Sequence, residues 1–267
     1  MPAPLSVSVV HASAEMDGSD KSLLDFARLR PAWIADGGRA RSARYLAVWN
    51  GVDGATQSVD REAARRGMGA AFGEVLFVLV GRINARKGQQ LLVQAFAALV
   101  RQGGTGQDGA RLAIVGSVFA EPGRWDQQLQ AAEAASGCAD QIAVHPYCSD
   151  VDAVWAAADP VVVPATDPEP VGRVAVEAMA FARPVIAAAH GGPVAIVQQG
   201  VTGLFVPPRG APARTNALVA LAGDPSLRAA MGHAGLPRQR AVFSVQGYAD
   251  RVAAVLGEVA AVRPVAA

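Results

Sequence analysis

The sequence predicts a doubly wound α/β domain, a parallel sheet covered by helices on both faces, and three observations carry that prediction. Short runs rich in β-branched residues recur along the chain, stretches with apolar residues at helical spacing lie between them, and the two alternate strictly. Such alternation implies right-handed crossovers between parallel neighbours, and strands buried on both faces read as unbroken apolar runs.

The first such run is VLFVLVG at residues 75–81, followed by helical spacing over 89–101. RLAIVG at 111–116 leads into 127–136, and IAVHPY at 142–147 into 152–157. PVVVPA at 160–165 precedes a helical pattern over 171–182, and PVIAAA at 184–189 precedes one over 213–222. Each helical stretch stops near Gly, Pro or a charged turn. Together they fill residues 75–242, an ordinary size for one domain. Residues 1–74 read differently. LSVSVVHAS and SLLDFARL suggest one strand and one helix, and PAWIADGGRARSAR then interrupts the pattern with Pro, Gly and Arg. One strand and one helix cannot bury a sheet of their own.

Composition limits the function classes. Of 267 residues 51% are hydrophobic and 18% charged, enough apolar material for a core and too little charge for a disordered chain. With 24 basic and 23 acidic residues, no field of one sign draws the chain to nucleic acid or an anionic membrane. Cys138 and Cys148 are too few for a disulfide framework and are expected to be buried thiols. The four histidines show no ligand spacing, so no metal is expected; His190 lies nearest the expected cleft. No apolar run approaches the ~18 residues of a membrane span, and the apolar run of MPAPLSVSVVHASA lacks the preceding basic residue of a secretory signal. A cytoplasmic location, free or peripheral to the membrane, is the expectation.

In doubly wound folds the chemistry sits at the carboxyl ends of the strands. After the first strand comes GRINARKGQQ. Arg82 and Lys87 bring two cations and Gly88 permits a close turn, which suits a diphosphate. The order Lys-Gly is not the Gly-Lys-Ser/Thr of a P-loop, and no G-x-G-x-x-G follows the strand, so ATPase and dehydrogenase readings fail. A solvated basic turn remains the alternative. Further on, EPVGRVAVEAMAFARPVIAAAHGG places Glu169 and Glu177 across the start of an apolar helix, with Gly172 at its beginning. A helix N-terminus attracts phosphate, and a carboxylate inside such a helix needs a partner, either a ribose diol or Arg173 four residues earlier. The Asp-x-Asp of SDVDAVWAAAD reads as a helix cap supplied by Ser149 or Asp150.

These residues carry a resemblance. EPVGRVAVEAMAFARPVIAAAHGGPVAIVQQGVTGLFVPP, with VGRINARKG upstream, resembles the donor-binding half of the family 4 glycosyltransferases, whose GT-B fold sets two Rossmann-like domains across a cleft. WNGVD at 49–53 resembles the family's linker, and FSVQGYADRVAAVL its closing helix, so residues 243–267 are expected to be that helix and a tail. The resemblance implies retaining transfer of a sugar from a nucleotide diphosphate sugar to an unspecified acceptor, without metal or cofactor. By position it implies that Arg82 and Lys87 contact the diphosphate, Glu169 the sugar hydroxyls and Glu177 the ribose. The backbone of Val171 and Gly172 would approach the phosphates.

The chain departs from the family's usual pattern at Val171, where Phe is common, at Ala182, where Gly is, and at Ala195, where Glu is. The first bears on the sugar pocket, the others on structure. HASAEMDGSDKSLLDF resembles the start of the acceptor domain, yet the linker-like WNGVD follows some thirty residues later. A remnant of that domain is therefore expected in residues 1–74, with a partner chain or self-association at the open face. Two functions follow: a glycosyltransferase that needs the missing part, or a non-catalytic nucleotide-sugar-binding module or defective remnant.

Overall fold

The computed structural model describes residues 34–36, 39–41, 48–54, 58–104, 109–118 and 123–261. The strand and helix expected within residues 5–29 lie outside them. In the interrupted stretch, β1 (Ile34–Asp36) and β2 (Arg39–Arg41) form a short antiparallel pair, which the Pro, Gly and Arg content had concealed.

The main sheet has six parallel strands in the order β5-β4-β3-β6-β7-β8. They are β3 (Val75–Val80), β4 (Ala110–Val115), β5 (Ile142–His145), β6 (Val161–Val163), β7 (Val185–Ala188) and β8 (Gly203–Val206). Helices α1 (Arg61–Gly67), α2 (Gln89–Arg101), α3 (Trp125–Ser136), α4 (Asp152–Ala157), α5 (Arg173–Ala180) and α6 (Pro193–Ile196) precede or separate them. Helices α7 (Ala211–Gly223), α8 (Pro225–Val242) and α9 (Val245–Ala261) follow. The sequence reading lacked β8 and the helices α1, α6 and α8, and ran the pattern of α5 past both of its ends.

Alternation along β3 explains the two-sided core. Phe77 and Leu79 point to one face, where they meet Leu92, Phe96 and Leu99 of α2 and Leu218 and Leu221 of α7. Leu76 and Val78 point to the other, against Trp155 of α4, Met179 of α5 and Phe243.

The packed unit starts before residue 75. Val52 N donates to Phe243 O (2.8 Å), the Gln239 side chain donates to Val52 O (2.5 Å), and Trp49 packs edge-on against Phe243. Helix α1 is bound to the amino-terminal edge of the sheet by its arginines. Arg61 donates to the carbonyls of Ala156 (2.5 Å) and Ala158 (3.1 Å), Arg65 to that of Ala157 (3.1 Å), and Arg183 to those of Trp155 and Ala156. These carbonyls close the carboxyl end of α4, where cations are favoured. Asp159 stands among the guanidiniums. It takes Arg61 at 2.6 Å, Arg65 at 2.8 Å and the backbone N–H of Leu76 at 2.8 Å.

Ala182, just past α5, is the one non-glycine at positive φ among the described residues (54°). A Cβ is strained there. Ala182→Gly is expected to stabilise the fold by about 0.5–1 kcal/mol and to raise the melting temperature by about 1–3 °C. Thermal unfolding of the two proteins, side by side, checks it.

Two smaller readings change. Cys138 is buried, but Cys148 is exposed in the turn after β5. The N-cap of α4 is Val151, without a side-chain bond, while the Asp150 carboxylate one residue earlier accepts from Asp152 N (3.2 Å).

Candidate functional site: a cation and two carboxylates at the switch point

Strand order locates the site. The chain runs outward from β3 through β4 to β5, then returns beside β3 and runs the other way through β6, β7 and β8. The direction therefore reverses between β3 and β6, and the crevice outside their carboxyl ends is where such sheets bind ligands. The loops leaving these two strands hold residues 81–88 and 164–172.

The β3 loop is short and internally bonded. Asn84 Oδ1 accepts from the backbone N–H groups of Arg86 (3.0 Å) and Lys87 (3.1 Å), capping the 3-10 turn Ala85–Lys87. The buried Gln89 donates to Arg82 O (2.8 Å) and fixes the backbone there. Gly88 takes a left-handed φ of 74° to start α2, and a Cβ on it would sit 2.2 Å from Pro164 O. Only glycine lets the two loops approach this closely. Thr166 completes the junction, donating from N to Arg86 O (2.8 Å) and from Oγ1 to Ala85 O (3.0 Å).

This packing brings Lys87 Nζ to 2.5 Å from Glu169 Oε1, eighty-two residues away in sequence. Glu169 is 12% exposed and Lys87 27%. The pair spans the switch point.

The β7 loop holds the backbone around Glu169. Gly192 N donates to Glu169 O (2.6 Å). A Cβ on Gly191, which has φ 64°, would lie 2.4 Å from Glu169 O, and one on Gly192 would lie 2.4 Å from the Val171 carbonyl. His190 Nε2 meets Ala165 O at 2.9 Å; a carbonyl only accepts, so Nε2 carries the proton. Gly172 caps α5 from a left-handed conformation (φ 74°) with no side-chain bond, leaving the first N–H groups of the helix without a side-chain cap. Val171 lies just outside the helix.

Glu177, one turn into α5, is bonded by Arg173 Nε at Oε1 (2.6 Å). Arg173 is 69% exposed and Glu177 14%, so the carboxylate is the sheltered member. Burial lifts its pKa above the usual glutamate value, Arg173 pulls against that, and Asp152 on α4 adds to the rise. The structure thus brings Lys87 and Glu169 together and sets Val171, Gly172 and Glu177 in sequence on the adjoining loop and helix. Arg82 is half-buried in the same loop as Lys87.

One cavity adjoins the β3 loop, and an open depression lies elsewhere, along α3. The cavity, of about 180 Å³, is lined by Asn84, Gln90, Trp125, Thr166 and Arg209 among others, and the depression measures about 540 Å³. Neither is lined by Lys87, Glu169, Gly172 or Glu177. Among the described residues no three His, Cys, Asp or Glu side chains gather as metal ligands would.

Asn84, Gln89, Gly191 and Gly192 hold this geometry and escaped the sequence reading. An Asn at the head of a cationic turn, and a Gly-Gly pair three residues past the end of a strand, were the available signals.

The family model for glycosyl transferases group 1 matches residues 60–236. The chain belongs to that family. Among curated proteins it is similar to the D-inositol 3-phosphate glycosyltransferase of Actinosynnema mirum, 36% identical over 73% of this chain and 48% of the relative. The alpha-D-kanosaminyltransferase of Streptomyces kanamyceticus is 28% identical over 76% of this chain and 51% of its own. Among solved structures, Anabaena Alr3699/HepE in complex with UDP and glucose superposes with a TM-score of 0.73 at 26% identity, covering 83% of this chain and 58% of that one. The C-terminal domain of the group 1 protein LpcC from Francisella tularensis shares the fold, with a TM-score of 0.62, over 74% of this chain and 97% of its own. The chain therefore spans about half the length of the curated relatives it matches.

Proposed function

We propose that this chain binds a nucleotide diphosphate sugar across the carboxyl ends of β3 and β6 as the donor half of a retaining glycosyltransferase. One observation carries the reading: a lysine and a carboxylate from distant loops meet at the switch point, beside a glycine-capped helix start. Arg82 and Lys87 neutralise the diphosphate as it leaves, and the backbone at Val171 and Gly172 approaches its oxygens. Glu169 accepts hydrogen bonds from sugar hydroxyls, and Glu177 accepts them from the ribose diol. The positive charge comes from side chains, so the proposal calls for no metal or resident cofactor.

In the transfer the bond from the anomeric carbon to the phosphate oxygen breaks, and the diphosphate departs with the electron pair. The acceptor oxygen bonds from the same face and its proton passes to the departing diphosphate. The acceptor is a carbohydrate, lipid or small molecule held by a second body, either more of the same polypeptide, a partner chain or another copy. No helix among the described residues is long and apolar enough to cross a membrane. Action in the cytoplasm or at a membrane surface is part of the proposal.

A second reading draws on the same geometry. The Lys87–Glu169 pair and the glycine-capped start of α5 would serve equally a module that binds the nucleotide sugar without turning it over. Incubation with UDP-, GDP- and ADP-glucose separates the two, because only the first reading expects sugar release or transfer.

The pH dependence of binding tests the role of Glu177. An ionised acceptor is needed for the ribose, so affinity is expected to fall on acidification from a higher pH than an ordinary glutamate would set. For stability the sign is opposite. The folded chain holds this proton more tightly than the unfolded one, so the group's contribution is full below the usual glutamate pKa and is lost as pH rises through the folded value.

A further inference from the structure

We infer that the Lys87–Glu169 ion pair is an intramolecular competitor of the diphosphate, and that it makes the site discriminate against a nucleoside diphosphate lacking its sugar. This rests on the proposed donor site. The observation is the 2.5 Å contact between the two groups that the donor would engage separately, in a place where Glu169 is almost buried. Lys87 has to turn from the carboxylate to a phosphate oxygen when a nucleotide arrives.

What happens to Glu169 then depends on the ligand. With a nucleotide sugar, the sugar hydroxyls donate to the carboxylate that Lys87 has left. With a nucleoside diphosphate alone, nothing replaces Lys87, and a sheltered carboxylate faces an anion without a donor. The Glu169 backbone is fixed by Gly191 and Gly192, so the carboxylate cannot move away with its loop. Donor binding exchanges partners, whereas product binding strands one. The device weakens the hold on the leaving diphosphate once the sugar is gone.

The expected sign is unusual for a site residue. Removing the carboxylate frees Lys87 and should tighten the sugar-free nucleotide. Wild type, Glu169→Gln and Glu177→Gln are titrated calorimetrically with UDP, GDP and ADP, with Glu169→Ala as a second variant and thermal unfolding as the check on folding. Glu169→Gln is expected to bind its nucleoside diphosphate about three- to tenfold more tightly than wild type. Glu177→Gln removes the same charge from the same site, is paired with Arg173 instead, and is expected not to tighten it. Unchanged or weaker binding by the Glu169 variants overturns the inference and leaves the site reading standing. Equal tightening in both glutamine variants also overturns it, because the effect would then be general charge removal. Absence of binding in every protein, with all of them folded, overturns the site reading and the inference together.

Discussion

Replacing Asp159 with alanine is expected to destabilise the chain by about 3–5 kcal/mol, the cost of leaving a buried ion without its partner. The carboxylate accepts from Arg61, Arg65 and the backbone of Leu76, and Asp159 N donates in return to Leu76 O (2.9 Å). Arg65 is 5% exposed, and without Asp159 its guanidinium would be left donating to the carbonyls of Ala157 and Glu74. Arg183, already brought down to about 10 chiefly by burial and next by Arg61, would lose the neighbouring negative charge that holds it up. Asp159 lies at the amino-terminal edge of the sheet, far from the switch point, so the loss should register in denaturant unfolding. Arg61→Met, which removes a third-exposed partner and leaves Arg65 paired, should cost about 1 kcal/mol or less.

Gly191→Ala is expected to abolish most nucleotide binding, by more than tenfold, and to cost about 2–4 kcal/mol of stability. The added Cβ would meet Glu169 O at 2.4 Å and Glu169 N at 2.6 Å, both backbone atoms, from a glycine at φ 64°. No side-chain rotation relieves such a collision. The loop has to shift, and Glu169 and the Val171 backbone shift with it. Gly200→Ala is a fair control, since it also sits at positive φ (73°) but has open space around its Cβ position. It should show the backbone strain without the loss of binding.

The strands that bury both faces were legible in sequence because their apolar runs leave no other assignment: VLFVLVG and PVIAAA could only be interior. The two carboxylates and the cationic turn stood out as candidates from their local sequence and again through the resemblance, while the contact between Lys87 and Glu169 did not. Nothing local in ARKG or DPEP specifies an encounter across eighty-two positions; the reversal of strand order between β3 and β6 produces it. Helix α8 was hidden because Pro237 lies within it and Gly232 and Gly235 flank its middle. Gly232 is required by packing, since a Cβ there would fall 2.0 Å from Ala182 O, so the residue that reads as a breaker is a contact. Strand β8 was missed because its four residues follow a turn and carry no alternation. Cys148 was assigned to the interior on the habit of the residue type, whereas its turn after β5 lies at the surface.

Glu177 is expected to hold the ribose of a nucleotide at the switch point. The most direct measurement is a calorimetric titration of the wild-type chain and Glu177→Ala with UDP, GDP and ADP, with thermal unfolding run on both. Saturable binding to one nucleotide, weakened by about 1–3 kcal/mol in the variant with unfolding little changed, is the predicted result. Equal affinity in the two proteins would contradict it, and so would a folded wild-type chain that binds none of the three.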